Sequence, residues 1–212
     1  DKKAVIVVTA NRGLAGGYNS NITRMIIDEG FTKENTVVYA VGKKGRELLE
    51  RKGYEIKADY SEAINDPIYK DAKEICDDVL SAFADGEVGE IYLAYTVFKN
   101  TVVHEPQLIR LLPVEADDAA HETDGSEALM TYEPSEEEAL DMIIPKYVCS
   151  LVYGALIESV ASENGARMQA MDSATSNAEE MIEDLTLLYN RARQGSITQE
   201  LTEIIAGANA IS

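Results

Sequence analysis

An α/β fold is predicted: a mainly parallel sheet with helices on both faces, followed by one long C-terminal helix that calls for a coiled-coil partner. Three observations carry this reading. Short β-branched runs alternate with segments of helical period over the first half of the chain. From Pro134 to about Ala208 only Pro145, near the start, argues against helix. Within that stretch Met171, Ala174, Ala178, Met181, Leu185, Leu188 and Ala192 are separated by alternating steps of 3 and 4, the a/d pattern of a coiled coil.

Taken in order, Ala4–Thr9 (AVIVVT) is a β-branched apolar run bounded by Asn11, Arg12 and Gly13, and reads as a strand buried on both faces. A helix follows from about Tyr18, with Ile22, Met25 and Ile26 on one side. Thr36–Val41 is the second strand, and a helix runs through Arg46–Lys52. Another helix starts near Pro67 and sets Ile68, Ala72, Ile75, Val79 and Phe83 at helical spacing. The apolar run Glu90–Phe98 continues the alternation. Glu105–Val114 reads as a further strand, placed at an edge because Pro106 has no N–H to give a ladder. The expected domains are therefore a sheet domain over 1–133 and a shaft helix over 134–212.

The chain has 212 residues, 45% of them hydrophobic, enough for one core and an extension. Its 38 acidic and 19 basic residues give a net charge of −19, which repels nucleic-acid backbones and anionic membrane surfaces. Eleven of the acids fall between Glu115 and Asp141 with no Lys or Arg among them, so the first part of that stretch, about 115–127, is expected to be a solvated acidic loop. Cys76 and Cys149 form no CxxC pattern, which fits a reducing compartment better than a disulfide framework or a zinc ribbon. No continuous apolar run approaches the ~20 residues that cross a bilayer, so no direct membrane insertion is expected. Asp1 opens the chain in place of Met and leads almost at once into a strand, the pattern of a fragment of something longer.

The C-terminal segment decides the functional reading. About 60 helical residues at ~1.5 Å each would run ~90 Å, several times the width of the preceding domain. Leaving Met171, Met181, Leu185 and Leu188 in water would forgo roughly 6–12 kcal/mol, comparable with the stability of a whole domain. A partner helix is required, either from another chain or from a part of this one that the sequence lacks. A break at Gly165 or Gly195 that folded the helix back would be the other solution, since each glycine costs about 1 kcal/mol in a helix interior.

Motifs for chemistry are scarce. Gly13, Leu14, Ala15, Gly16 and Gly17 lie between a strand and a helix, where a dinucleotide-binding loop would lie. They lack GxGxxG spacing and a GK[ST] ending, and the second strand closes on Gly42 without the acid that would hold a ribose. A tight glycine-rich turn is the simpler reading, and a free-standing nucleotide-binding α/β domain using Gly13–Gly17 is the alternative function. Gly42, Lys43, Lys44 and Gly45 likewise read as a loop opening a helix, with phosphate binding the lesser possibility. His121 sits among Asp117, Asp118, Glu122 and Asp124, a solvated acidic loop before it is a metal site. No Ser/His/Asp or Cys/His arrangement appears, and no catalytic residue, cofactor or metal is assigned.

The run Ile197–Ala210 (ITQELTEIIAGANA) resembles the terminal signature of the gamma subunit of F-type ATP synthases. Ala166–Thr175, Leu187–Gln194, the turn Arg12–Asn19, Gly86–Tyr92 and Tyr132–Pro134 resemble the same family, in order and over essentially the whole chain. The resemblance implies a Rossmann-like foot domain carrying an antiparallel coiled coil that inserts into a ring of alternating alpha and beta subunits. It implies a foot seated on the membrane c-ring and holding the epsilon subunit, at the cytoplasmic face of a bacterial plasma membrane. The subunit would be a non-catalytic rotor that passes torque from proton flow to the catalytic beta subunits.

Relatives place a first coiled-coil helix before the first strand, and that missing N-terminal helix is the partner the resemblance supplies for the seam Met171–Ala192. Matched position by position, Arg193 and Gln194 resemble residues that meet a catch loop on a beta subunit. Arg167, Thr198 and Glu200 match positions of rotor–stator coupling, and Tyr132 and Glu133 match the foot surface near the c-ring and epsilon. Asn11 and Ala15 stand where relatives often carry Asp and Cys.

Overall fold

The computed structural model describes residues 2–114 and 136–211. The acidic loop at 115–127, His121 and the pair Tyr132 and Glu133 lie outside the described residues. Five strands, β1 (Lys3–Val8), β2 (Thr36–Val41), β3 (Glu55–Asp59), β4 (Glu90–Phe98) and β5 (His104–Leu112), form one sheet in the order β3-β2-β1-β4-β5. The pairs β3–β2, β2–β1 and β1–β4 are parallel; β5 returns antiparallel along β4 at the edge. Pro106 sits opposite Thr96 on that edge, where a missing N–H leaves no neighbouring strand unpaired.

Alternation along the strands divides the core in two, because successive side chains point to opposite faces. On one face Val5, Val7, Val38, Ala40 and Ala94 meet helices α1 (Tyr18–Asp28) and α2 (Lys43–Arg51) through Ile22, Ile26 and Leu49. On the other, Ala4, Ile6, Val8, Tyr39, Val41, Ile91 and Leu93 meet α3 (Tyr69–Ala84) and the first half of α4 (Glu136–Ile211). From α3 come Ala72, Ile75, Cys76 and Val79; from α4 come Val148, Cys149, Val152, Ala155 and Leu156. Both cysteines are buried free thiols in this layer.

The expected strands and helices form within a few residues of their anticipated bounds. Two elements add to them. β3 is an edge strand whose residues alternate between exposed and half-buried, so EIKAD carries no apolar run to betray it. A 3-10 turn over Ser61–Ile64 follows it, held by Asp59, whose carboxylate accepts both the Ser61 hydroxyl and its N–H. Burial pushes the Asp59 carboxyl up, but these bonds and the Arg46 guanidinium outweigh it and hold the group below its usual range.

Helix α4 runs unbroken through Pro145, Gly165 and Gly195, so the fold-back that either glycine offered does not occur. Packing divides the chain into Asp1–Gln169 and Ala170–Ser212, whereas the sequence expectation drew the boundary between 133 and 134. The difference arises because the stretch of α4 from Val148 to Ala166 completes the core of the sheet domain. By length and composition alone, an 18-residue window within Glu138–Ile211 is apolar enough to span a bilayer, and 28% of that window is buried in the molecule.

A helix surface built for contact

In open α/β sheets, ligands settle in the crevice where the strand order reverses, beyond the carboxyl ends of the strands. Here that crevice lies between β1 and β4, and α4 occupies it. Ala166 packs on Ala10, Ala15 and Tyr18 of the β1–α1 segment. Gly165 lies against the β4–β5 turn so closely that a Cβ there would meet His104 Nε2 at 2.4 Å and the Thr101 carbonyl oxygen at 3.3 Å. The buried Tyr18 hydroxyl donates to the Ser159 carbonyl oxygen at 3.0 Å, and burial pushes that phenol well above its ordinary value.

The phosphate-binding possibility at Gly42–Gly45 is used up by the protein's own groups. At the start of α2 the Lys43 N–H donates to Asn11 Oδ1 (3.0 Å), the Lys44 N–H to the Ala10 carbonyl (3.0 Å) and the Gly45 N–H to Thr9 Oγ1 (2.9 Å). Asn11 Nδ2 then donates to the Ser61 carbonyl (2.7 Å) and to Asn65 Oδ1 (2.9 Å), tying the turn after β3 over the same edge. An anion at a helix N-terminus needs free N–H groups, and these are spent. In the Gly13–Gly17 segment, Leu14 (φ 62°) and Gly16 (φ 56°) take left-handed backbone, and Ala15 turns inward against α4. The geometry is that of a packed turn, which disfavours the nucleotide-binding alternative. Among the described residues no group of acids, histidines and cysteines is arranged to hold a metal ion.

The unit Ala170–Ser212 presents a different surface. Met171, Met181, Leu185 and Leu188 are 43%, 64%, 60% and 59% exposed, and Ala174, Ala178 and Ala192 are exposed with them. At about 100° per residue these seven positions fall within roughly a third of the helix circumference. Arg193, Gln194, Thr198 and Glu200 are also exposed. By the same arithmetic Gln194 and Thr198 fall on the side away from the seam, and Arg193 and Glu200 on the flank beside it. Thr198 donates its hydroxyl to the Gln194 carbonyl at 2.8 Å, and Thr202 repeats this to Thr198. The two hydroxyls are held to the helix, while the Arg193 and Glu200 side chains extend from its other flank.

The structure therefore brings together four of the five residues matched to rotor–stator coupling, and Arg167 stands apart from them in the first unit. Arg167 pairs with Glu163 at 2.6 Å and lines a polar hollow of about 390 Å³ with Asn11, Arg12, Asn65 and Asn164. Sequence reasoning missed the polar contacts of Tyr18, Ser159 and Ser162. Two serines three apart in an apolar helical segment were the available signal, since buried hydroxyls need partners.

Comparisons with known proteins agree with this architecture. A family model described as ATP synthase matches residues 1–211. The ATP synthase gamma chain of Lachnoclostridium phytofermentans is 66% identical over 218 residues, covering all of this chain and 75% of that one. That of Alkaliphilus metalliredigens is 44% identical, covering 99% and 74%, and a sodium-ion-specific gamma chain from Acetobacterium woodii is 43% identical, covering 100% and 75%. Among solved structures, a chain of the Euglena gracilis mitochondrial ATP synthase superposes with a TM-score of 0.71 at 19% identity, covering 99% of this chain and 73% of its own. A chain from the central stalk and c-ring structure of the Tetrahymena thermophila enzyme gives 0.64 at 24%, covering 82% and 76%. The structural matches show the fold; with the sequence matches across the full length, they lead to the conclusion that the chain belongs to the ATP synthase gamma chain family.

Proposed function

We propose that this subunit of ATP synthase transmits torque between the membrane c-ring and the catalytic ring of alpha and beta subunits. The observation that carries the reading is the division of labour around one helix. An apolar seam from Met171 to Ala192 occupies one side; Gln194 and Thr198 lie on the side away from it, with Arg193 and Glu200 on its flank. A seam of this kind is buried by a second helix in a coiled coil, which leaves the opposite side to meet a surrounding sleeve. Support for the surroundings comes from relatives solved within F1 and c-ring assemblies.

In this reading the covering helix belongs to the part of the gamma chain that relatives place before β1, and the sheet domain contacts the c-ring and epsilon through a surface that includes Tyr132 and Glu133. The chain itself performs no bond chemistry; catalysis resides in the beta subunits. It works at the cytoplasmic face of a bacterial plasma membrane as a peripheral part of the complex.

The test is made in the complete enzyme. Arg193→Ala with Gln194→Ala is expected to leave assembly intact and to lower ATP-driven rotation and ATP synthesis. Unchanged rotation and synthesis in that variant would overturn the assignment of these two residues to rotor–stator contact.

A further inference from the structure

The ladder between β1 and β4 ends at Val7–Ala94, so beyond it the backbone of β4 has no parallel neighbour. Thr96, two residues on, is buried, and buried N–H and C=O groups must find partners. Both partners come from α4. The Thr96 N–H donates to Ser159 Oγ at 3.4 Å, and Ser162 Oγ donates to the Thr96 carbonyl at 3.2 Å. Ser159 and Ser162 are wholly buried and, three positions apart, share one face of the helix. The Tyr18 hydroxyl adds a third bond from α1 to the Ser159 carbonyl.

These bonds add angular precision to the surrounding apolar contacts. Val148, Val152, Ala155 and Leu156 hold one face of α4 against the sheet and oppose any large turn, because turning that face away would expose it, but their burial changes gradually over small rotations. Hydrogen bonds weaken steeply off axis. Turning α4 by one residue position, about 100°, would remove both serines from Thr96 and leave two buried backbone groups unpaired.

We propose that Tyr18, Thr96, Ser159 and Ser162 form a rotational lock that fixes the azimuth of α4 on the sheet, and that torque passes between the sheet domain and the helix through it. The proposal rests on the torque-transmitting function above and names the residues that bear the load inside the subunit. They are positioning residues, acting through the orientation of α4.

The experiment uses complete ATP synthase in vesicles and reads ions pumped per ATP hydrolysed as the opposing gradient builds. Ser159→Ala/Ser162→Ala is compared with Val152→Ala, which removes buried apolar surface from the same helix and no directional bond. The double variant is expected to hydrolyse ATP at the normal unloaded rate and to lose coupling as the load rises, while Val152→Ala lowers thermal stability and keeps its coupling. Ser159→Thr/Ser162→Thr, which restores the hydroxyls, is expected to recover coupling. Should the double variant not assemble, Ser162→Ala alone is judged by the same criterion.

Equal coupling in the serine and Val152 variants would overturn the lock. The Arg193 and Gln194 variants, run alongside, separate this from the wider reading. If they uncouple and the serine variants do not, the lock alone is wrong; if neither set uncouples, the torque reading falls with it.

Discussion

Gly42 shows how much one residue can fix. Its φ of 120° is open to glycine and strained for any other residue, and a Cβ there would meet the Thr9 carbonyl oxygen at 2.1 Å. Gly42→Ala is expected to cost about 2–4 kcal/mol, read as a lower denaturation midpoint at unchanged slope. Tyr18 makes a second prediction. Burial raises its phenol above the ordinary 10.0, so the neutral form belongs to the folded state. The sign follows: its stabilising contribution is fully present below the unfolded value and is lost as the pH climbs above about 10 towards the folded value. Tyr18→Phe should flatten the fall in stability between pH 10 and 12 relative to the parent, measured by denaturant titration at stepped pH. The sequence showed that Gly42 and Tyr18 flank turns, because glycine and strand ends are local signals. It could not show Thr9 beneath Gly42 or Ser159 above Tyr18, since those contacts join residues 33 and 141 positions apart.

At the level of elements, the two parts of α4 are held by different forces. From Val148 to Ala166 the helix contributes buried side chains to the core, while from Met171 to Ile211 its side chains face solvent, Asn190 alone being partly covered. A helix without tertiary support relies on propensity, which is marginal in water. Amide exchange in the isolated chain is therefore expected to be slow between Val148 and Ala166 and fast beyond Gln169, and equal protection along the whole helix would contradict this. Addition of a peptide bearing a complementary apolar seam should slow the fast region, because binding stabilises what it contacts. The 3-and-4 spacing was legible because coiled-coil periodicity is carried by the helix itself. β3 was not legible: an edge strand half in water has no need of an apolar run. The docked stretch of α4 was also hidden, since its core face looks in sequence like any amphipathic helix.

The whole molecule carries a net charge of −19, and repulsion within so acidic a chain works against its compact state. Thermal stability should accordingly rise as sodium chloride is raised from ~10 to ~150 mM, where the screening length falls from about 30 to about 8 Å; a flat or falling trend would argue that local ion pairs dominate. The fold class was readable at this scale because strand and helix signals alternate in order. Where α4 would dock was not, because Gly165, Ala166 and the two serines give no strong local pattern. Gly154, Gly195 and Gly207 have nothing within 4 Å of where a Cβ would stand, and the chain's two native cysteines are both buried. A cysteine introduced at any of those three points would thus be the one thiol open to a maleimide dye. The molecule already offers single attachment points, on the sheet-bound part of its longest helix and on the remainder, for a reporter that would test the proposed rotation.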